Sequence, residues 1–186
     1  GLEADFIPGH EEALTRLLEA YPWDYVIGSV HFLDDWNFDH PDYVHRYSEW
    51  DIAELYARFF ALERAAAESG LFDILAHIDL IKKFGHRPPG ELTHLYTDLA
   101  DAIARAGVAI ELSTAGLRKP VGEVYPAPAL LRACCERGVP LVISSDAHAP
   151  DEVGWGFKDA REMALRTGFI ETARFEGRRR RMVPLA

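Results

Sequence analysis

A chain of 186 residues, 48% apolar and 27% charged, is long enough to bury a sizeable core and has the make-up of one soluble globular domain. Its formal charge of −10 argues against a general nucleic-acid surface, and no run of 18 uninterrupted apolar residues offers a membrane span. The opening residues Gly1-Leu2-Glu3-Ala4-Asp5-Phe6 do not read as a signal peptide, and the adjacent Cys134 and Cys135 form no disulfide framework, so a reducing cytoplasm is expected.

Taken in order, residues 2–6 read as the last part of a strand with Glu3 near its end, broken by Pro8-Gly9. A helix follows over 11–20, with Leu14, Leu17, Leu18 and Tyr21 at helical spacing. Residues 24–31 form a predicted strand that ends on His31. The polar and aromatic stretch 32–50 is too long for a simple connector and reads as a lid or substrate loop. Asp51 is placed to cap a helix running to about residue 69, with Gly70 after it. A strand over 72–77 ends on His77, a loop covers 78–89, and a helix over 91–106 stops at Gly107. The series repeats with a strand at 108–112, a loop at 113–126, a helix at 128–137 stopped by Gly138, and a strand at 140–146. A last helix spans 157–167 before Gly168, and 169–175 and 179–185 can pair as terminal strands across Glu176-Gly177. This alternation predicts a parallel α/β fold with helices outside and no domain boundary.

Residues 142–145 have strand character and run into Asp146-Ala147-His148, and Pro150 stops the strand. Two apart in extended backbone, Asp146 and His148 project from the same side, and a carboxylate beside an imidazole begins a metal site. Glu3, His31, His77, Asp146 and His148 all fall at or just after the C-terminal ends of predicted strands, where parallel barrels build their active sites. Singly, each reads equally well as a packed or solvated side chain. Together they read as a metal site.

His86 sits in the cationic loop Lys82-Lys83-Phe84-Gly85-His86-Arg87, directly after the His77 strand, and Arg118 and Lys119 hold the equivalent place after the Glu111 strand. Basic side chains at a metal face suggest an anionic substrate, and an arginine fork suits phosphate. Lys82, Lys83 and Lys119 read as surface charge, and His10, His40, His45 and His94 as solvated or loop-packing residues. The run Arg178-Arg179-Arg180-Arg181 reads as a solvated turn, with an RNA or anionic-partner contact as the other reading.

The ordered series Gly1-Leu2-Glu3-Ala4-Asp5-Phe6, Ile27-Gly28-Ser29-Val30-His31, Ala76-His77-Ile78-Asp79 and Ser145-Asp146-Ala147-His148 resembles the PHP metallophosphoesterase superfamily. Lys82-Lys83-Phe84-Gly85-His86-Arg87-Pro88, Ser113-Thr114-Ala115-Gly116-Leu117-Arg118 and Glu123-Val124-Tyr125-Pro126-Ala127-Pro128 look more narrowly like its histidinol-phosphatase branch. The resemblance covers essentially the whole chain. It implies a distorted (β/α)7 TIM-like barrel, a cluster of up to three Zn, Mn or Fe ions, and hydrolysis of L-histidinol phosphate in histidine biosynthesis.

Carried over, the resemblance makes Glu3 a bridge between two metals, completed by His31 and His77, with Asp146 on the neighbouring metal and His148 on the third. Arg87 and Arg118 would hold the substrate phosphate with His86 beside them, and Asp79 would support a ligand from behind. Trp36, Phe38, Asp39, Asp42 and Tyr43 would receive the imidazole and ammonium of the substrate. The reaction implied is metal-assisted phosphomonoester hydrolysis, in which no serine or cysteine need act as nucleophile. PHP enzymes also begin with a strand carrying His-x-His, which this chain does not contain, and typical barrels run to about 250 residues. Residues 1–186 are therefore expected to be the C-terminal major part of a single PHP metallophosphatase domain. They should lack an N-terminal segment and so have an open sheet edge and an incomplete metal cluster. Two other readings stay open, a PHP-type nuclease or phosphodiesterase and a non-catalytic metal-binding domain. Oligomeric state is left open as well.

Overall fold

The computed structural model describes residues 1–185. Strand β1 (Leu2–Asp5) leads through helix α1 (Glu11–Glu19) to β2 (Val26–Ser29). A small hairpin, β3 (Phe32–Leu33) and β4 (Trp36–Asn37), and a 3-10 stretch over Pro41–Glu49 precede α2 (Ile52–Glu68). Strands and helices then alternate through β5 (Ile74–Leu75), α3 (Thr93–Ala106), β6 (Ala109–Ser113), α4 (Pro128–Glu136), β7 (Leu141–Ser144) and α5 (Phe157–Thr167). The antiparallel hairpin of β8 (Glu171–Glu176) and β9 (Arg179–Pro184) follows.

Strands β1, β2, β5, β6 and β7 make one parallel sheet in that spatial order, so their C-terminal ends share one side. Every residue of β6 is buried, as a central parallel strand covered on both faces requires. Along β1 the period of two separates Leu2 and Ala4, packed against the core, from Glu3 and Asp5 on the other face. Among the described residues β1 and β7 are the outer strands and do not pair with each other. The expected parallel α/β fold is therefore present as an open five-stranded sheet. No helix of the described residues is long and apolar enough to cross a membrane.

The helix ends follow local chemistry. The Asp51 carboxylate accepts from the Glu54 N–H and caps α2, while Gly107 ends α3 at φ 71°, a left-handed conformation that glycine adopts at little cost. Helix α2 buries Leu55, Tyr56, Phe59 and Phe60, and α3 buries Tyr96, Leu99 and Ile103.

Two sequence expectations are corrected by tertiary contacts, and a third is refined. The 32–50 stretch is no open lid, because Trp36, Phe38 and Tyr47 are core residues, with the Trp36 and Tyr47 rings 4.9 Å apart and edge-on. Trp36 and Phe38 therefore do not face a substrate. The strand expected over 72–77 shrinks to Ile74–Leu75, because the His77 N–H leaves the ladder for the Glu111 carboxylate at 3.0 Å. The arginine run is exposed around the expected turn, and two of its members are anchored as well. Arg178 binds the Asp73 carboxylate (2.9 Å) and the Leu71 carbonyl (2.7 Å), and Arg180 binds the Gly107 carbonyl (2.6 Å). These partners precede β5 and β6, so the β8–β9 hairpin is tied to the N-terminal ends of the strands.

Candidate metal centre

Parallel register brings the ligand-type residues together. Glu3 lies opposite Ile27 in β2 and Asp5 opposite Ser29, while His31 and His77 each follow their strand by two residues. Glu3 Oε1 stands 3.9 Å from His31 Nε2 and 3.6 Å from His77 Nε2, and the two imidazole centroids are 5.1 Å apart. One donor atom from each of the three falls within 4.8 Å of the others. Tetrahedral ligands bonded at 2.0–2.2 Å are about 3.4 Å apart, so a small contraction would close this trio on a cation. The donors are oxygen and imidazole nitrogen without thiolate, a set that fits Zn, Mn or Fe.

The surroundings fix these groups. The Ser29 hydroxyl donates to Glu3, and His31 Nδ1 meets Asp5 Oδ1 at 2.6 Å, which leaves Nε2 free for a metal. Burial alone would push the Glu3 carboxyl up, but His77, helped by Ser29 and His31, outweighs it and holds it down at about 2. Burial likewise disfavours a charged His77, yet Glu3, Glu111 and Asp146 outweigh it and push its pKa up to about 9. Both shifts say that this point attracts positive charge.

Asp146 and His148 line the same open cavity of about 500 Å³, outside the tight trio. They do not project from extended backbone as the sequence suggested. Strand β7 ends at Ser144, whose hydroxyl accepts from the Asp146 N–H, and Asp146 is left-handed at φ 44°. His77 is left-handed too, at φ 24°. Such backbone is costly for a residue with a Cβ and persists where surrounding contacts over-determine it, here the Glu111 carboxylate and the Ser144 hydroxyl.

The expected substrate contacts are not among the residues lining this cavity. Arg87 pairs with Glu123 at 2.6 Å, and His86 stacks on Tyr47 with centroids 4.4 Å apart. Arg118 pairs with Glu152 at 3.3 Å and donates to the Ser145 carbonyl, so it braces the Asp146 loop from behind. The cations that do line the cavity are Lys83, bound to Asp39 at 3.0 Å, and Lys119, both read from sequence as surface charge. Of the loop residues expected at the substrate, Asp39 lines the cavity and Asp42 and Tyr43 do not. Asp5 also escaped the sequence reading, although its place two residues after Glu3 puts it on the same strand face. No local signal separates Lys82 from Lys83.

The sequence profile of the PHP domain matches residues 1–115. The probable histidinol-phosphatase of Deinococcus radiodurans is 52% identical over 160 residues, which cover 86% of this chain and 61% of that protein. The histidinol-phosphatase of Bacillus subtilis is 30% identical over 176 residues, covering 85% of this chain and 66% of that protein. The chain thus spans 61% to 66% of the length of these relatives. A crystal structure of histidinol phosphate phosphatase from Lactococcus lactis, complexed with zinc, L-histidinol and phosphate, superposes with a TM-score of 0.83 at 19% identity. That match covers 97% of this chain and 70% of that one, and shows a shared fold.

Proposed function

This chain belongs to the PHP domain family, and on that premise we propose that it serves a metal-dependent phosphomonoesterase that hydrolyses L-histidinol phosphate to L-histidinol and phosphate in histidine biosynthesis. The observation that carries this reading is the convergence of Glu3, His31 and His77 at the C-terminal ends of neighbouring parallel strands. Relatives that bear the name histidinol-phosphatase, and the zinc, histidinol and phosphate in the Lactococcus enzyme, support the substrate and metal. In this reading residues 1–186 belong to one PHP domain, their parallel strands are part of a distorted (β/α)7 barrel, and the protein works in the cytoplasm.

Glu3, His31 and His77 would hold one divalent cation, Zn, Mn or Fe, and Asp146 and His148 would serve further cations in the same cavity. Bound cations supply Lewis-acid chemistry, activating water and offsetting phosphate charge. The chain's own residues orient and neutralise the ester. Lys119 lines the cavity and makes no ion pair among the described residues, so its ammonium is available to phosphate oxygens. Asp39, held by Lys83, gives the substrate ammonium a carboxylate partner. Arg118 and Arg87 remain assigned to the phosphate, on condition that each leaves its pair with Glu152 or Glu123, and His86 to the substrate on leaving its stack on Tyr47. A nuclease reading lacks a basic track at the metal face, because the arginine run lies on the β8–β9 hairpin, tied by Arg178 and Arg180 to residues that precede β5 and β6 at the other end of the strands.

The test is phosphate release from L-histidinol phosphate by the whole protein with Zn²⁺ or Mn²⁺. We expect metal-dependent turnover that falls at least ~100-fold in Glu3→Gln, since removing a direct ligand should cost no less than disturbing its support. Metal-bound protein without turnover would remove the phosphatase reading.

A further inference from the structure

Strand β6 is buried at every position and lies between β5 and β7 in the parallel sheet. A strand covered on both faces normally reads as an apolar run, because a charged side chain there loses its water. Glu111, in the middle of β6, is the only charged residue of the strand and is 4% exposed. A hydrocarbon side chain would fill that place without the desolvation cost, so what the carboxyl touches shows its use. Glu111 Oε2 accepts from the His77 N–H at 3.0 Å.

That contact falls where the ladder of β5 ends. The Ala76 N–H still reaches the Gly28 carbonyl of β2 at 2.9 Å, but His77 leaves the pleat at φ 24°. The His77 carbonyl accepts from the Leu80 N–H at 2.8 Å, so both backbone polar groups of His77 are engaged, one of them by Glu111. A left-handed backbone is costly for a residue with a Cβ and needs support from outside. Side-chain direction follows from the backbone, and with this backbone the His77 ring lies edge-on to Tyr125, centroids 6.2 Å apart, with Nε2 3.6 Å from Glu3. Glu111 is not among the residues lining the metal-site cavity, so its reach into that site runs through His77.

We propose that Glu111 is the positioning residue for His77: by accepting the His77 N–H at the end of β5, it holds the backbone turn that presents Nε2 to the point shared with Glu3 and His31. An ionised and a neutral carboxyl both accept from a backbone N–H, so the role asks for an acceptor and for no particular charge. It rests on the reading of His77 as a metal ligand and is independent of the substrate.

The experiment measures Zn²⁺ affinity of the whole protein, by competition with a chromophoric chelator, and hydrogen exchange of the His77 backbone amide. Parent, Glu111→Gln and Glu111→Met are compared, and Glu111→Met is also placed in a His77→Ala background. The Gln amide oxygen keeps the acceptor, so affinity should stay within about threefold of the parent and the amide should stay protected. Methionine has a similar length and no such acceptor, so affinity should fall by about 10- to 100-fold and exchange should quicken. Once the imidazole is gone, the same Met substitution should change affinity by less than about threefold, because an effect that acts through His77 has nothing left to act on. Parental affinity in Glu111→Met, an equal loss in both backgrounds, or a loss in Gln as large as that in Met would each overturn the proposal. Should the Met variant fail to fold, the parent and Gln proteins decide: an unprotected His77 amide in the parent, or loss of affinity in Gln, overturns the assignment. Zinc alone is the probe, so failure of the phosphatase reading would show as bound zinc without phosphate release and leave this comparison intact.

Discussion

Lys82 and Lys83 are chain neighbours with opposite fates. Lys82 is 1% exposed, with its ammonium between Asp79 and Glu123 and on the Val124 carbonyl, while Lys83 reaches the cavity beside Asp39. Removing one member of a buried ion pair leaves the other charge uncompensated. Lys82→Met should therefore cost about 3–5 kcal/mol and lower Tm by roughly 10 °C, as scanning calorimetry would show. The same network makes an acid-sensitive prediction. Burial raises the Glu123 carboxyl, but Arg87 and Lys82 outweigh that and hold it below the usual carboxylate range. A depressed folded-state pKa contributes stability that is complete above the unfolded value and is lost as pH falls through the folded one. Urea unfolding of Glu123→Gln and the parent should therefore differ most above about pH 5 and converge in acid. A gap that stays constant down the acid range would remove Glu123 from the account.

At the scale of elements, the boundaries are set where side chains compete with the backbone ladder. Strand β5 stops because Glu111 captures the His77 N–H, and β7 stops because the Ser144 hydroxyl captures that of Asp146. Helix α2 starts where Asp51 caps it, and this was readable from sequence because a cap needs only residues within one turn. Asp51→Ala should cost about 1 kcal/mol and Asp51→Asn only a few tenths, read from denaturant midpoints at constant m. The β8–β9 hairpin turns through Gly177 at φ 54° and Arg178 at φ 62°, the pair of left-handed residues that a two-residue turn with the native twist requires. Arginine tolerates that backbone here because its guanidinium is fixed on Asp73 and the Leu71 carbonyl.

For the whole molecule, the acceptors and imidazoles at one end of the sheet are poised around a point that favours positive charge. A cation that binds only the folded chain stabilises it by mass action. Zn²⁺ or Mn²⁺ at about 100 times its Kd should add roughly 2.7 kcal/mol and raise Tm by about 5–10 °C, with a chelator reversing the shift. The Glu3→Gln protein should show little of that rise. An equal rise in both would place the cation elsewhere.

The alternation of strands and helices, the glycines that end α3 and α5, the Asp51 cap and the ligand types at strand ends were all legible in the sequence, because each depends on neighbours within a turn or a pleat. What the sequence could not decide were partnerships between residues far apart in the chain. Arg87 meets Glu123, Arg118 meets Glu152, Trp36 joins the core, and Lys83 and Asp39 share the cavity. The chemistry of each side chain is local, but whether a charge faces solvent, a counter-ion or a cavity is set by packing, since burial and opposing charges decide what an ionisable group can do.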